Sequence, residues 1–292
     1  MIGTTFTRPK TIDETCALLA QRVAKGERTM LLAGGTDLVV EQHLGTITAQ
    51  PPAPRLVVDV SQLAELGKVE HRGDVVRLGG GVTYRTLRID PELAKKLPLL
   101  AQMSKDVGAL QIQARGTLAG NLATASPAAD GVAALAALDA VIGLRSVRGE
   151  RSVPIASFYQ GYKKTAREGD ELIVWIDVRV PKPNARFVWR KVGTRLAQAI
   201  SKVALAAVAE IEEGIVTHAR FGMASVGPTT ALLPHVRAAM EGKPVAALVA
   251  DLGAFDRALA ADIKPIDDIR STGEYRMHVA QALVRSFVRS LA

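Results

Sequence analysis

The stretch GTLAGNLATASPAADG, residues 116–131, gathers small residues with hydroxyl, amide and carboxylate side chains, and leads into the helical pattern VAALAALDA at 132–140. Glycine and alanine keep a surface low enough for backbone N–H groups to approach a ligand, and glycine reaches positive φ without steric cost. Thr117, Asn121, Thr124, Ser126 and Asp130 add groups suited to phosphate and sugar oxygens. A second junction of this kind lies upstream, where an apolar strand at 30–33 runs straight into Gly34, Gly35, Thr36 and Asp37. Two such cradles suit one long dinucleotide. Neither is a Rossmann fingerprint, because G-x-G-x-x-G is absent and LGGGVT at 78–83 has the wrong spacing; a P-loop lysine pattern is absent as well.

Around these junctions the chain alternates strand and helix patterns. Thr11 and Glu14 are spaced as a capping box ahead of a helix whose apolar face carries Cys16, Leu19, Ala20 and Val23, with Gly26 as its stop. The run QPPAP at 50–54 interrupts regular structure before LVVDV at 56–60, whose uninterrupted apolar character predicts a strand in a sheet interior. Short β-like runs from 69 give way to a long helical region at 91–108, and β-like stretches recur at 141–147 and 171–180. The prolines of VPKPN place a domain boundary near 181–185. Beyond it the pattern predicts a strand at 187–193, a long small-residue helix at about 197–209, a strand at 218–226 and at least two C-terminal helices.

Composition narrows the function. The chain of 292 residues is 48% hydrophobic and 23% charged, which is the balance of a folded protein with room for more than one compact unit. Its formal charge of +8 is spread along the chain without a basic block, and only 4% of residues are aromatic, so a nucleic-acid partner is not indicated. The amino-terminal segment lacks the apolar run of a secretory signal, and no stretch has the length of a membrane span, so the protein reads as cytoplasmic. The single cysteine, Cys16, cannot by itself make an intramolecular disulfide, a cysteine-rich zinc site or an iron–sulfur cluster. His43, His71, His218, His235 and His278 occur singly, without metal-ligand spacing. No G-x-S-x-G serine and no acid–base dyad supports a hydrolase, which leaves reactive chemistry to a cofactor.

AGGTDL at 33–38, TLAGNLATASPAAD at 117–130, GYKKT at 161–165 and RKVGTRLAQAISKV at 190–203 resemble, in order and spacing over nearly the whole chain, the signatures of the FAD-binding subunits of molybdenum hydroxylases of the xanthine dehydrogenase and carbon monoxide dehydrogenase type. The resemblance implies an α+β protein: a vanillyl-alcohol-oxidase-like (PCMH-type) FAD-binding domain of two α/β lobes over 1–181, and a smaller C-terminal α+β domain over 182–292. It implies non-covalent FAD held by Leu31, Leu32, Ala33, Gly34, Gly35, Thr36, Asp37 and Leu38 in one loop and by Thr117, Leu118, Ala119, Gly120 and Asn121 in the other. Thr124 and Asp130 would touch more of the cofactor, Ile173 would pack on it, and Lys191 would reach it with its ammonium group. At 119 the chain has alanine where the family usually has the first of two adjacent glycines, which brings a methyl group close to the diphosphate.

The resemblance further implies an oxidoreductase subunit without catalytic side chains of its own. A large partner would hold the molybdopterin, a small partner the [2Fe-2S] clusters, and the FAD here would pass electrons to a terminal acceptor. The expected assembly is a heterohexamer, a dimer of heterotrimers. Some relatives carry a cysteine-rich insertion for a further cluster, which one cysteine cannot supply. The competing expectations are a stand-alone flavin-dependent reductase or oxidase of the same fold, and a non-enzymatic docking subunit whose glycine loops bind nothing.

Overall fold

A computed structural model describes residues 5–27, 29–40 and 56–292 of the chain. The expected irregular run at 50–54 and His43 lie outside the described residues. The molecule is a mixed α/β protein built on three principal sheets. The first is small and parallel: β1 (Thr5–Thr7), β2 (Thr29–Leu32) and β3 (Leu56–Asp59), in the order β1-β3-β2. All four residues of the central strand β3 are buried, as its apolar run predicts. Helix α1 (Ile12–Ala24) joins the first two strands, and α2 opens at residue 36 and is described over 36–40. Thr11 caps α1, its Oγ1 accepting from Glu14 N at 3.0 Å, while the Glu14 carboxylate reaches back to Lys10 N and not to the cap residue's own N–H.

The second sheet is antiparallel: β4 (Val69–Arg72), β5 (Val75–Gly79), β6 (Val141–Ser146), β7 (Gly149–Pro154) and β10 (Leu172–Arg179), in the order β4-β5-β10-β6-β7. Between β5 and β6 the chain forms α3 (Tyr84–Ile89), α4 (Pro91–Lys96), α5 (Pro98–Ser104), α6 (Leu110–Arg115), α7 (Leu118–Thr124) and α8 (Asp130–Ala137). The single long helical region expected at 91–108 is therefore several short helices. Pro91 and Pro98 each start a new one, since proline lacks the N–H that would extend the preceding helix and drives the residue before it out of helical geometry, as at Leu97 with φ −126°. After β7 come α9 (Ile155–Phe158) and the hairpin β8 (Tyr159–Gly161) and β9 (Lys164–Thr165).

One face of the five-stranded sheet, with Val76, Leu78, Ile142, Leu144, Ile176 and Val178, packs on the helices that follow β5. Leu172 and Val174 instead join a smaller core with Cys16, Leu19 and β3. The pairing register of β10 against β6 shifts between Ile173 and Trp175, so neighbouring residues of β10 serve different cores on either side of the bulge.

The third sheet is antiparallel, β11 (Arg186–Val192), β12 (Val203–Glu212) and β13 (Ile215–Ala224), in that order. Helices α10 (Pro234–Met240), α11 (Val245–Ala250), α12 (Gly253–Asp262) and α13 (Gly273–Arg289) complete the chain. The helix expected at 197–209 is corrected here: 203–212 is the central strand of this sheet. Val203, Leu205, Ala207 and Ala209 point into the core beneath the C-terminal helices, and Ala204, Ala206 and Val208 into the core around α8. Both faces of β12 are covered, so its period of two is hidden by uniformly apolar residues. Among the described residues no helix is long and apolar enough to cross a membrane.

Candidate functional site

The carboxyl ends of β2 and β3 and the end of β5 open onto one space, the position at which open α/β sheets characteristically receive ligands. β2 ends in Gly34 and Gly35. Gly35 is left-handed, with φ +76°, and turns the chain into α2. Gly34 lies directly on the backbone of the second small-residue segment. A Cβ there would stand 2.0 Å from the Arg115 carbonyl oxygen and 3.0 Å from Gly116 Cα.

That second segment is not the loop its composition suggests. Thr117 is the N-cap of α7, its Oγ1 accepting from Gly120 N at 3.0 Å, and 118–124 are helical. The residues favour this because the cap hydroxyl satisfies an otherwise free N–H, and Leu118 and Leu122 fall on a buried face. Thr124 Oγ1 then donates to Asp37 Oδ2 at 2.7 Å, tying α7 to α2. The two glycine-containing segments, 87 residues apart at this bond, therefore meet face to face.

Between them is a cavity of about 830 Å³, at the upper end of the range for small-molecule and cofactor sites. All the candidate residues except Leu32, Leu118, Asp130 and Lys191 line it. Leu118 points into the core, 1% exposed. Ile173 lines the cavity beside the β10 bulge, and its carbonyl oxygen lies where a Gly80 side chain would be, 2.3 Å from the position of a Cβ. The Ala119 methyl faces the same glycine without crowding it, since even a Cβ on Gly80 would meet it at 3.5 Å, an ordinary contact distance.

Asp130 and Lys191 pair with each other one layer behind this wall. Lys191 Nζ donates to Asp130 Oδ2 at 2.5 Å and to the Asp106 carbonyl at 2.9 Å, while Trp189 Nε1 holds the Asp106 carboxylate at 2.8 Å. Burial raises the Asp130 carboxyl to about 6, against the opposing pull of the Lys191 ammonium. Gly131 lacks the Cβ that would stand 2.6 Å from Asn121 Oδ1 and 2.9 Å from Tyr84 Oη, so these two cavity-lining groups converge on the start of α8. Burial and the nearby Asp130 push the Tyr84 hydroxyl well above the ordinary phenol range. Tyr84 Oη, Asn121 Oδ1 and Asp130 Oδ1 are buried and have no hydrogen-bond partner among the described residues. Ser126, by contrast, spends its hydroxyl on a local turn, accepting from Ala128 N.

Sequence reasoning missed Gly80, Tyr84, Gly116, Lys163 and Arg167, all of which line the cavity. For Gly80 the signal was present, a glycine run at a strand end, but LGGGVT was weighed only against Rossmann spacing. Tyr84 carries no local signal, since its place follows from α3 starting beside Gly116, where Tyr84 N donates to the Gly116 carbonyl. Among the described residues no group of three or more His, Cys, Asp or Glu side chains is placed to hold a metal ion.

Residues 2–183 match the family described as the FAD binding domain in molybdopterin dehydrogenase, and residues 189–291 match the CO dehydrogenase flavoprotein C-terminal domain. The carbon monoxide dehydrogenase medium chain of Afipia carboxidovorans is 30% identical over 288 residues, 97% of this chain and 94% of that one. The nicotinate dehydrogenase FAD-subunit of Eubacterium barkeri is 30% identical over 226 residues, covering 76% of this chain and 74% of its own. Among solved structures, a carbon monoxide dehydrogenase from Hydrogenophaga pseudoflava that lacks the Mo-pyranopterin moiety of its molybdenum cofactor superimposes with a TM-score of 0.90, at 27% identity and over 100% of both chains.

Proposed function

This chain belongs to the FAD-binding family of molybdopterin dehydrogenase flavoproteins, and on that premise we propose that it is the electron-transfer subunit of a heteromeric molybdenum hydroxylase. The observation that carries the reading is the meeting of two glycine-containing segments, through Gly34 against Arg115 and through Thr124 on Asp37, around one cavity of about 830 Å³. The residues fit FAD. Gly34 lets the two segments approach closely, Gly35 turns the first of them along the cavity, and the Tyr84 hydroxyl and Asn121 carbonyl are buried polar groups on the lining without a partner among the described residues.

In this reading 33–38 and 117–121 hold the diphosphate, Leu31 and Ile173 pack against the cofactor, and Thr124 keeps Asp37 fixed between them. Asp130 and Lys191 support the wall through Asn121 and α8. When bound, FAD supplies a carrier that exchanges electrons one at a time with iron–sulfur centres and in pairs with an organic acceptor. The chain orients that cofactor and excludes water from its buried part. With one cysteine it leaves [2Fe-2S] clusters to a small partner, and we assign the molybdopterin to a large one. We place the assembly in the cytoplasm as a dimer of heterotrimers, and read residues 1–181 as a PCMH-type domain of two lobes and 182–292 as the C-terminal domain.

The test is purification from the native host under gentle conditions, with a visible spectrum and mass spectrometry of released flavin and co-purifying chains. FAD together with a molybdenum-containing large chain and a cysteine-rich small chain is the expected result. FAD on a solitary chain with its own catalytic turnover would refute the subunit role, and absence of flavin after FAD is added back would refute the whole reading.

A further inference from the structure

The glycine cradle offers a diphosphate backbone N–H groups but no cation, and the same lining carries the carboxylates Glu27 and Asp37. Lys191, the one cation predicted for the site, is engaged by Asp130 behind the wall. Among the described residues that line the cavity the cations are Lys163 and Arg167, both in or just after the β8–β9 hairpin. We propose that Lys163 and Arg167 form a cationic clamp on the phosphates of the ADP half of FAD, so that they select the dinucleotide over the bare riboflavin nucleus. This deepens the FAD reading above and rests on it.

Arg167 is held in place, yet its charge meets no carboxylate partner among the described residues. Arg167 Nη1 donates to the carbonyl oxygens of Glu168 at 3.1 Å and Glu171 at 2.8 Å, which fixes the guanidinium without neutralising it. The carboxylates nearest to it are already engaged, Glu171 by Arg151 Nε at 2.6 Å and Asp170 by Arg148. Neither Lys163 nor Arg167 makes an ion pair among the described residues. Burial lowers the Arg167 guanidinium below its ordinary value, against the opposing pull of the Glu171 and Asp170 carboxylates. A planar guanidinium positioned by carbonyls is well suited to phosphate oxygens.

Lys163 is the second of the two residues that join β8 to β9, and its φ is +52°. Glycine or asparagine is favoured at such a left-handed position, and a lysine there is strained. Both Lys163 and the next residue, Lys164, are exposed, but only Lys163 lines the cavity. The hairpin thus keeps the less comfortable backbone residue at the place where a cation faces the site.

The flavin-free full chain, titrated with FAD and separately with riboflavin by quenching of flavin fluorescence at two salt concentrations, tests the clamp. Lys163→Gly and Arg167→Gln should each raise the Kd for FAD roughly tenfold or more, the usual weight of a charge-assisted hydrogen bond. They should leave the Kd for riboflavin unchanged and flatten the salt dependence of FAD binding. Lys163→Gly should not lower the melting temperature of the flavin-free chain, because glycine relieves the backbone, and Lys164→Met should match the wild type throughout. Variants that bind FAD as the wild type does, or that lose FAD and riboflavin in equal measure, would overturn the clamp alone. A wild-type chain that takes up no FAD would overturn the cofactor reading and the clamp with it.

Discussion

Replacing Gly34 with alanine should drive apart the two segments that form the cradle. The new Cβ would sit 2.0 Å from the Arg115 carbonyl oxygen and 2.6 Å from its carbon, and both obstructing atoms are backbone, with no flexible side-chain end to swing aside. Reaching the 3.4 Å of ordinary van der Waals contact requires the segments to separate by about 1.4 Å. Overpacking of this kind costs roughly 1–3 kcal/mol of stability. The larger effect falls on the ligand. Donors displaced by more than ~1 Å lose their hydrogen-bond geometry, and a loss of FAD affinity on the order of 100-fold, about 2.7 kcal/mol, follows. Urea denaturation of the flavin-free chain gives the first quantity and fluorescence titration with FAD the second. Gly67→Ala is the control, because a Cβ there meets nothing within 4 Å. Wild-type affinity for FAD in Gly34→Ala would show that the close approach of the two segments is not what forms the site.

Three further outcomes are expected. Asp130 titrates at about 6 when folded and near 3.8 when unfolded, so between those values the folded chain binds more protons and this group's contribution to stability falls as pH rises; Asp130→Asn should remove that component from urea midpoints measured across pH 4 to 6.5. Lys191→Met leaves the Asp130 carboxylate buried without its cation, and the loss, about 3–5 kcal/mol at pH 8, should shrink at pH 5, where the carboxyl is protonated; an equal loss at both pH values would refute the pairing. Tyr84→Phe removes a buried hydroxyl that has no partner among the described residues, so the flavin-free chain should be unchanged or stabilised by up to about 1 kcal/mol, and a clear loss of melting temperature would mean that the hydroxyl is bonded.

Much of the site was legible in the sequence because its signals are local. A strand that runs into Gly34 and Gly35 states its geometry within a few positions, whereas Thr117 and the small residues after it read as a loop and form a capped helix. The central strand β3 was equally plain from LVVD alone. What failed was non-local. Alanine-rich 203–209 reads as helix by propensity, yet each of its faces is claimed by a different core, and only tertiary packing decides that. Lys163 and Lys164 look alike in GYKKT and are both exposed, yet only Lys163, at a left-handed position, lines the cavity. The pairing of Lys191, which was expected to reach the cofactor, with a carboxylate 61 residues away was likewise beyond what spacing discloses.

Helix α8 is buried along its whole length, and it is so close to β13 that a Cβ on Gly222 would stand 2.0 Å from the Ala133 carbonyl oxygen. Its first residue, Asp130, is matched by Lys191 from β11. The N-terminal part of the chain therefore contributes a helix that the C-terminal part must finish enclosing. The two parts are consequently poor candidates for independent exchange between genes. A recombinant that acquires a foreign C-terminal part must also receive a glycine opposite Ala133 and a cation opposite Asp130, or it inherits a backbone collision and an unpaired carboxylate directly behind the cavity wall.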